Sequence, residues 1–224
     1  MNAVKRNKQS GFTLIELAIV LVIIGLILGA ILKGQDLITN ARAKKFANWI
    51  NQWQVQQMVH LDRKGRYAGD SEEVGTHKGN GVIGDSSTDS TAPFSDEITT
   101  TKGFTDVPDT SINLGNFAYY MYMGHDTRNS VTGKKVNVIV VTNTSGSSAA
   151  LDKAELPFFE MFDNNIDNVT NAGAGRVRAI TVQPTFTGTG LRVVSGVTEL
   201  STTTPFEWSA SYHGLVYYFD SSLE

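Results

Sequence analysis

The stretch FTLIELAIVLVIIGLILGAIL, residues 12–32, decides the architecture of this 224-residue chain. Fifteen of its 21 residues are Phe, Leu, Ile or Val, and its one charged residue is Glu16. Such side chains gain about 5–9 kcal/mol together in a bilayer, whereas a carboxylate costs about 2.5–3.5 kcal/mol at the centre and less near the edge. Insertion is therefore favoured, and at ~1.5 Å per residue the stretch is about 30 Å long, enough to cross a membrane.

A cleavable secretory signal is the alternative explanation for an apolar segment near the N-terminus. Such signals have an apolar region of about 7–15 residues, followed by a cleavage site of small residues. The apolar run here is longer, and the residues from Gly29 to Gly34 make a poor cleavage sequence. An uncleaved membrane anchor fits these features better. Its orientation stays open, because basic residues flank both ends of the segment.

The helical pattern continues beyond the apolar stretch. No proline occurs between Lys33 and Leu61, and Gly34 is the one glycine there. Apolar side chains recur on one side of this helix, and the other side is mostly polar. The apolar stripe comprises Ala43, Phe46, Trp49, Ile50, Trp53 and Leu61; the polar side comprises Arg42, Lys44, Lys45, Asn48, Asn51 and Gln52, interrupted by Val55 and Val59. A helix from Phe12 to about His60 would be about 73 Å long, so its first half is expected to contact lipid or other copies of itself.

The remainder of the chain is acidic and lacks cysteine. Residues 62–224 carry 12 basic and 20 acidic groups, and the whole chain has a net charge of −3. An acidic domain without a basic stripe argues against nucleic-acid binding. The absence of cysteine excludes disulfides, thiolate nucleophiles and sulfur-ligated metals. The four histidines, His60, His77, His125 and His213, are not spaced as metal ligands.

Downstream of Asp62 the sequence predicts strands, one helix and long loops. Residues 65–111 contain many turn residues, so we expect a long loop region there. Residues 151–166 have helical spacing, interrupted by Pro157. Strands are predicted at Phe117–Met123, Val136–Thr142, Arg176–Gln183, Leu191–Ser195 and Leu215–Phe219. The predicted fold is α+β: a long N-terminal helix, with a membrane half and an amphipathic half, whose apolar stripe packs on a C-terminal antiparallel sheet.

Two short motifs resemble nucleotide-binding loops without the required context. Gly79–Gly84 matches G-x-G-x-x-G, but no strand pattern precedes it and no helix pattern follows it. Gly133-Lys134-Lys135 lacks the upstream glycine of a phosphate loop, and we interpret it as a turn. No Ser/His/Asp arrangement stands out. The sequence therefore predicts no catalytic residue and no cofactor, and the chain is predicted not to be an enzyme.

Three features follow one another at the start of the chain. A short basic leader ends at Gly11, the motif Phe12-Thr13-Leu14-Ile15-Glu16-Leu17 comes next, and the apolar helix follows. This order resembles a prepilin, the precursor of type IV pilins and type II secretion pseudopilins. The resemblance implies that a prepilin peptidase cleaves after Gly11 and that the new amine of Phe12 is methylated. A carboxylate in hydrocarbon is costly unless paired, so Glu16 is expected to dock onto the Phe12 amine of a neighbouring subunit.

The resemblance also implies an organisation, a role and a location. Residues 1–11 form the prepilin leader, 12–33 the transmembrane and assembly helix, 34–61 its amphipathic continuation and 62–224 a globular α+β domain with a pilin-like fold. The implied role is a structural filament subunit. Its implied partners are the prepilin peptidase, other copies or related pilins, an inner-membrane assembly platform and the lipid bilayer. It would cross the inner membrane once before assembly and then enter a periplasmic or cell-surface filament.

Two departures favour a pseudopilin or minor pilin over a major pilin. Many type IV pilins have a proline near the end of the membrane segment, where this chain has Lys33 and Gly34, and many have a C-terminal cysteine pair. The competing class is a single-pass anchored periplasmic binding or enzymatic domain that does not polymerise. Within the filament class, the basic residues Arg42, Lys44 and Lys45 are expected to meet acids of an adjacent globule.

A calcium loop is the alternative interpretation of one acidic segment. The sequence DNNID, which starts at Asp163, has the spacing of the first half of an EF-hand loop, but Asn168 and Ala174 stand where glycine and glutamate belong. We interpret the segment as a polar helix end. Because major pseudopilins carry a calcium loop, the resemblance leaves Asp163, Asn165 and Asp167 as candidate ligands.

A second resemblance covers more of the chain. Residues 65–70 and 79–81, with residues 163–167 and 175–179, are similar to a pilin-like group with P-G-D and I-D-x-G…G-x-V-R-A signatures. Ala68 replaces the proline of the first signature, and Asn168 replaces an acidic residue of the second. This resemblance implies no additional activity.

Overall fold

The computed structural model describes residues 11–70, 79–84, 97–129, 134–145, 149–181, 186–187, 190–191 and 206–220. The chain divides into two compact units, Met1–Ala41 and Arg42–Glu224. Helix α1 extends from Leu14 to Lys64 and contributes to both units. The predicted long helix is therefore confirmed, with ends that differ by two to four residues from the predicted ones.

In the first unit, the described part of α1 has no buried side chain. The large apolar residues are exposed to between 47%, at Ile24, and 89%, at Leu14. Among the described residues, α1 is the one helix that is long and apolar enough to cross a membrane, with a mean hydropathy of 3.0 over 18 residues, none of them buried. This surface is available to lipid or to other helices.

In the second unit, one side of α1 is buried, as the apolar stripe predicted. Phe46, Trp49, Ile50 and Trp53 are each exposed to 5% or less. Phe46 lies at the centre of an aromatic cluster, with its ring 5.1 Å from that of Tyr119. Burying a large apolar side chain stabilises a fold by about 1.5–3 kcal/mol, so this stripe fixes the second half of α1 on the globular domain.

A five-stranded antiparallel sheet forms the framework of the globular domain. Its strands lie in the order β1-β2-β3-β7-β4, and β5 pairs with β6 in a separate two-stranded sheet. The strands are β1 Ser111–Leu114, β2 Phe117–Asn129, β3 Lys134–Thr142, β4 Val177–Ala179, β5 Phe186–Thr187, β6 Gly190–Leu191 and β7 Leu215–Tyr218. Helix α2, Leu156–Asp167, follows β3, and a 3-10 turn at Thr100–Lys102 precedes β1. The α+β fold is as predicted.

Both faces of the sheet carry buried side chains. On one face, Tyr119 of β2 packs against α1 and against Phe158 and Phe159 of α2. On the other face, Val138 and Val140 of β3 belong to a smaller buried cluster. The two faces explain why β3 is an almost continuous apolar run rather than an alternating one.

Several predicted boundaries are corrected by the structure. Strand β1 begins at the end of the predicted loop region, β2 continues to Asn129 and β3 begins at Lys134, so the predicted turn at Lys134 and Lys135 is wrong. The predicted interruption at Pro157 does not occur. Helix α2 begins at Leu156, so Pro157 lies in its first turn, where the missing N–H is not needed. Strand β4 covers only three residues of the predicted Arg176–Gln183.

Parts of the predictions lie outside the described residues. These parts are residues 1–10 of the leader, 71–78 and 85–96 of the loop region, 182–183 of one strand and 192–195 of another. Gly79–Gly84 is described and contains neither helix nor strand, which agrees with its interpretation as a loop.

Candidate functional site

The N-terminus of α1 is closed by a reciprocal pair of side chains. Thr13 directly precedes the helix, and its backbone N–H and its hydroxyl both donate to Glu16 Oε2, at 2.8 and 2.9 Å. The backbone N–H of Glu16 donates in return to Thr13 Oγ1 at 3.3 Å. This is a capping box, in which Thr and Glu three residues apart satisfy the free N–H groups of a helix start. The T-x-x-E spacing from Thr13 to Glu16 is the sequence signal for such a cap, and it was not among the predicted features.

The capping box determines where the Glu16 carboxylate lies. Because Oε2 accepts a hydrogen bond from the Phe12–Thr13 peptide N–H, the carboxylate is held back toward Phe12. The positive end of the helix dipole favours a negative charge at this place. Among the described residues, neither of the two ion pairs involves Glu16. A carboxylate in this position is directed toward the bond at which processing is expected.

The predicted cleavage site is accessible. Gly11, Phe12 and Thr13 precede the first helical turn and are exposed, and Phe12 is exposed to 84%. Apart from Gly11 itself and its chain neighbours, no described atom lies within 4 Å of the position that a Cβ on Gly11 would take. Phe12 and Glu16 also line a shallow hollow of about 520 Å³, together with Leu17, Ile19 and Val20. The predicted cleavage, methylation and docking residues therefore lie together at one end of α1.

Of the candidate calcium ligands, Asp163 and Asp167 lie close together on α2, but Asn165 points away from Asp163. Residues 163–167 belong to α2, where Asp163 is fully buried and Asn165 is exposed. Side chains two positions apart on a helix point about 200° away from each other, so these two do not converge. No group of three His, Asp or Glu that could hold a metal ion occurs in the part of the chain that the structure describes. The segment is a polar helix end, as our main interpretation held.

Asp163 has a structural role instead. Its Oδ2 accepts hydrogen bonds from the indole of Trp208, at 2.9 Å, and from the backbone N–H of Asn171, at 2.8 Å. Its Oδ1 is buried and accepts none from the described residues. Burial raises the pKa of Asp163 from 3.8 to about 7, an effect to which the nearby Asp167 adds. Asp163 therefore links the end of α2 to the segment around Trp208.

The residues of the second resemblance also hold the fold together. Asp167 Oδ2 accepts the backbone N–H of Val177 at 2.9 Å and so joins α2 to β4. Gly175 has φ +80, and a Cβ there would lie 2.3 Å from Asp167 Oδ2, so only glycine fits. Asp70 Oδ2 accepts the backbone N–H of Gly81 at 3.0 Å. These contacts give Asp70, Asp167 and Gly175 structural roles.

The basic residues after the apolar stretch have different environments. The guanidinium of Arg42 packs on the turn between β1 and β2, where a Cβ on Gly115 would lie 2.7 Å from its Cζ. Arg42 thus contacts its own domain. Lys44 and Lys45 are exposed and have no ion-pair partner among the described residues. Their side chains are open to solvent in the single chain.

Comparison with known proteins assigns the N-terminal part of the chain. A family model described as the prokaryotic N-terminal methylation motif matches residues 6–32. No curated protein and no solved structure matches the chain. The fold, with a long apolar N-terminal helix that packs through its second half on an antiparallel sheet, is pilin-like. The chain therefore carries at its N-terminus the prepilin motif that type IV pilins and pseudopilins share.

Proposed function

We propose that this chain is a structural subunit of a type IV pilus or of a type II secretion pseudopilus. In this proposal, a prepilin peptidase removes residues 1–11, and the mature chain polymerises through its N-terminal helix. The observation that carries the proposal is the apolar surface of the first unit, in which no described residue is buried, with the Glu16 carboxylate held by Thr13 at its start. The matched methylation motif supports the processing step.

The apolar helix is suited to both environments that a filament subunit meets. In the membrane, lipid covers the side chains that are exposed in the single chain. In a fibre, neighbouring helices replace the lipid and keep the same side chains out of water. Because each large apolar side chain contributes up to about 1.5–3 kcal/mol on full burial, the roughly 15 that are present can hold copies together.

Glu16 supplies the register between neighbouring helices in this proposal. Oε2 is engaged by Thr13, and Oε1 has no hydrogen bond from the described residues. An ammonium group at the mature N-terminus of a neighbour can approach Oε1 without breaking the capping box. An ion pair in an apolar surrounding is strong, and its charge-assisted hydrogen bond needs close contact, so it fixes the axial position of one helix against the next.

The proposal also covers the partners and the location of the chain. In this proposal the chain is not an enzyme. An inner-membrane platform assembles it together with other copies or related pilins. It crosses the inner membrane once before assembly and is then part of a periplasmic or cell-surface filament. The missing proline at Lys33 and Gly34 and the missing cysteines favour a pseudopilin or minor pilin over a major pilin.

Substitutions at Glu16 test the proposal. Glu16→Ala removes the cap and the charge, whereas Glu16→Gln keeps a capping side chain and removes only the charge. Both variants are expected to insert into the membrane normally and to lower the sedimentable polymer at least tenfold in cells that contain the assembly machinery. Normal polymer yield from both variants would contradict the docking role. Wild-type chains that never associate would support the alternative, a single-pass anchored periplasmic binding or enzymatic domain.

A further inference from the structure

The second half of α1 has an exposed side that is unusual for a surface helix. We call it the amide face. It lies opposite the buried stripe, within about 100° of the helix circumference. Its members are Lys44, Asn48, Asn51, Gln52, Val55, Val59 and Asp62, all exposed. Between Lys45 and Asp62 the sequence contains no Asp, Glu, Lys or Arg.

The composition of the amide face indicates a protein interface. Helix sides that face water are normally rich in charged residues. The cores of interfaces between proteins are depleted of charge, and amide side chains there both donate and accept hydrogen bonds. On this face Val55 is exposed to 59% and Val59 to 38%. Two exposed valines one turn apart, among amides, are better covered than solvated.

A groove borders the amide face. It has a volume of about 510 Å³ and lies between Asn48, Asn51, Gln52 and Val55 of the face and the turn at Thr105–Asp106. Gln56 holds this turn in place, since its Nε2 donates to the carbonyls of Thr105, at 2.9 Å, and Asp106, at 3.3 Å. Asp106 has φ +53, a conformation that costs energy outside glycine. The helix thus keeps an exposed carboxylate at the edge of the groove.

Opposite charges lie at the two ends of this surface. Lys44 and Lys45 stand at its beginning, Asp62 stands at its end, and Asp106 stands beside its middle, at the groove. The helix rises about 27 Å from Lys44 to Asp62. All four are exposed, and none has an ion-pair partner among the described residues. One copy of the chain therefore presents both halves of a complementary pair and cannot join them itself.

From this arrangement we infer that the amide face and its groove bind a second copy of the chain, parallel to the first and displaced along the helix axis. Lys45 of one copy then lies beside Asp106 of the next, which is displaced by about 16 Å along the helix axis. The inference rests on the proposed function, because two copies anchored in one membrane by the same helix must be parallel. Displacement follows because copies in register would place like charges together. Such a heterologous contact continues into a fibre and does not close.

Paired cysteines test this contact. The chain has no native cysteine, so Lys45→Cys with Asp106→Cys introduces the only two thiols. Lys45 precedes Gln56 by 11 residues, about 16 Å along the helix, whereas a disulfide needs Cα atoms within about 7 Å. Oxidation of the dilute monomer in detergent is the control for a bond within one chain. Oxidation of the assembled protein is expected to give a ladder of multimers from the double variant and none from either single variant.

Charge exchange tests the same contact without cysteine. Asp106→Lys places like charges together and is expected to lower polymer yield about fivefold or more, and Asp106→Asn less, since exposed ion pairs are weak. Adding Lys45→Asp to Asp106→Lys is expected to restore most of the yield. Lys153→Glu is the matched control. Lys153 is exposed and lies just before α2, away from the amide face, so reversal of its charge is expected to leave the polymer yield unchanged.

The outcomes separate this inference from the proposed function. Sedimentation of the wild-type protein reports whether copies associate at all. Polymer without a cysteine ladder, and without an effect of Asp106→Lys, contradicts the inference and leaves the proposed function standing. A wild-type chain that never sediments as polymer contradicts both.

Discussion

The two halves of α1 belong to one continuous helix, yet they differ in composition and in burial. In residues 14–41 no side chain is buried, and up to Leu32 the sequence is apolar on all sides except at Glu16. In residues 42–64 eight side chains are buried on one side. A helix that is apolar all around needs an apolar environment, whereas an amphipathic helix needs one packed face. The first half is therefore completed by lipid or other copies, and the second half by its own domain.

The largest expected effect comes from removing a buried ring of the second half. Phe46→Ala empties a site in which Phe46 is fully buried among Trp49, Tyr119 and three phenylalanines of α2. The loss is expected to be about 3–5 kcal/mol of unfolding free energy, measured by denaturant unfolding of the detergent-solubilised chain.

The first half provides the matched control for that substitution. Ile23 is exposed to 52%, so Ile23→Ala is expected to leave the unfolding of the globular domain unchanged. An equal loss from both substitutions would remove the distinction between the two halves.

The carboxylate of Glu16 in the first half of α1 is exposed, whereas that of Asp163 in the globular domain is buried. The pH dependence of unfolding reports on the buried carboxylate. Asp163 in the globular domain has a folded pKa of about 7 against an unfolded value of 3.8. Between these values the folded chain keeps a proton that the unfolded chain has lost, so the unfolding free energy decreases as pH rises from about 4 to about 7, by at most about 4 kcal/mol.

Asp163→Asn is expected to flatten this pH dependence, because the substituted side chain does not titrate. Melting temperatures of both proteins at pH 4.5 and 7.5 check the result. A wild-type protein that becomes more stable over this interval, or a variant with an unchanged slope, would show that Asp163 is ionised in the fold.

The smallest expected effect concerns the cap of the first half. Thr13→Ala removes the hydroxyl that donates to Glu16 and is expected to cost about 1 kcal/mol of local helix stability, or roughly a fivefold change in polymer yield. Thr13→Ser keeps the hydroxyl and should behave like the wild type in the same sedimentation assay. Equal yields from the alanine and serine variants would mean that the cap does not position Glu16.

Periodicity alone predicted most of α1 and its contact with the sheet. Phe46, Trp49, Ile50 and Trp53 recur with helical spacing, and all four are buried. Strand β1 was missed because Ile112 and Leu114 are its only buried residues and turn residues surround them. A four-residue strand is recognisable only through its partner, here β2.

At the candidate site, the capping box of Thr13 and Glu16 was predictable from the sequence, although it was not predicted. Gly11, Phe12 and Glu16 were predicted from the order of leader, motif and helix, and the structure places them together. The role of Asp163 was not predictable, because Trp208 lies 45 residues away and no local pattern connects them. The groove at Asp106 likewise depends on a loop that folds back onto α1.

The mass of the mature chain tests the central claim most directly. The intact protein is isolated from the membranes of a cell that contains a prepilin peptidase and is weighed by mass spectrometry. The account predicts a chain that begins at Phe12, lacks residues 1–11 and carries one additional methyl group on its N-terminus. A mature chain that still begins at Met1 would contradict it, because the amine that Glu16 is proposed to bind would then not exist.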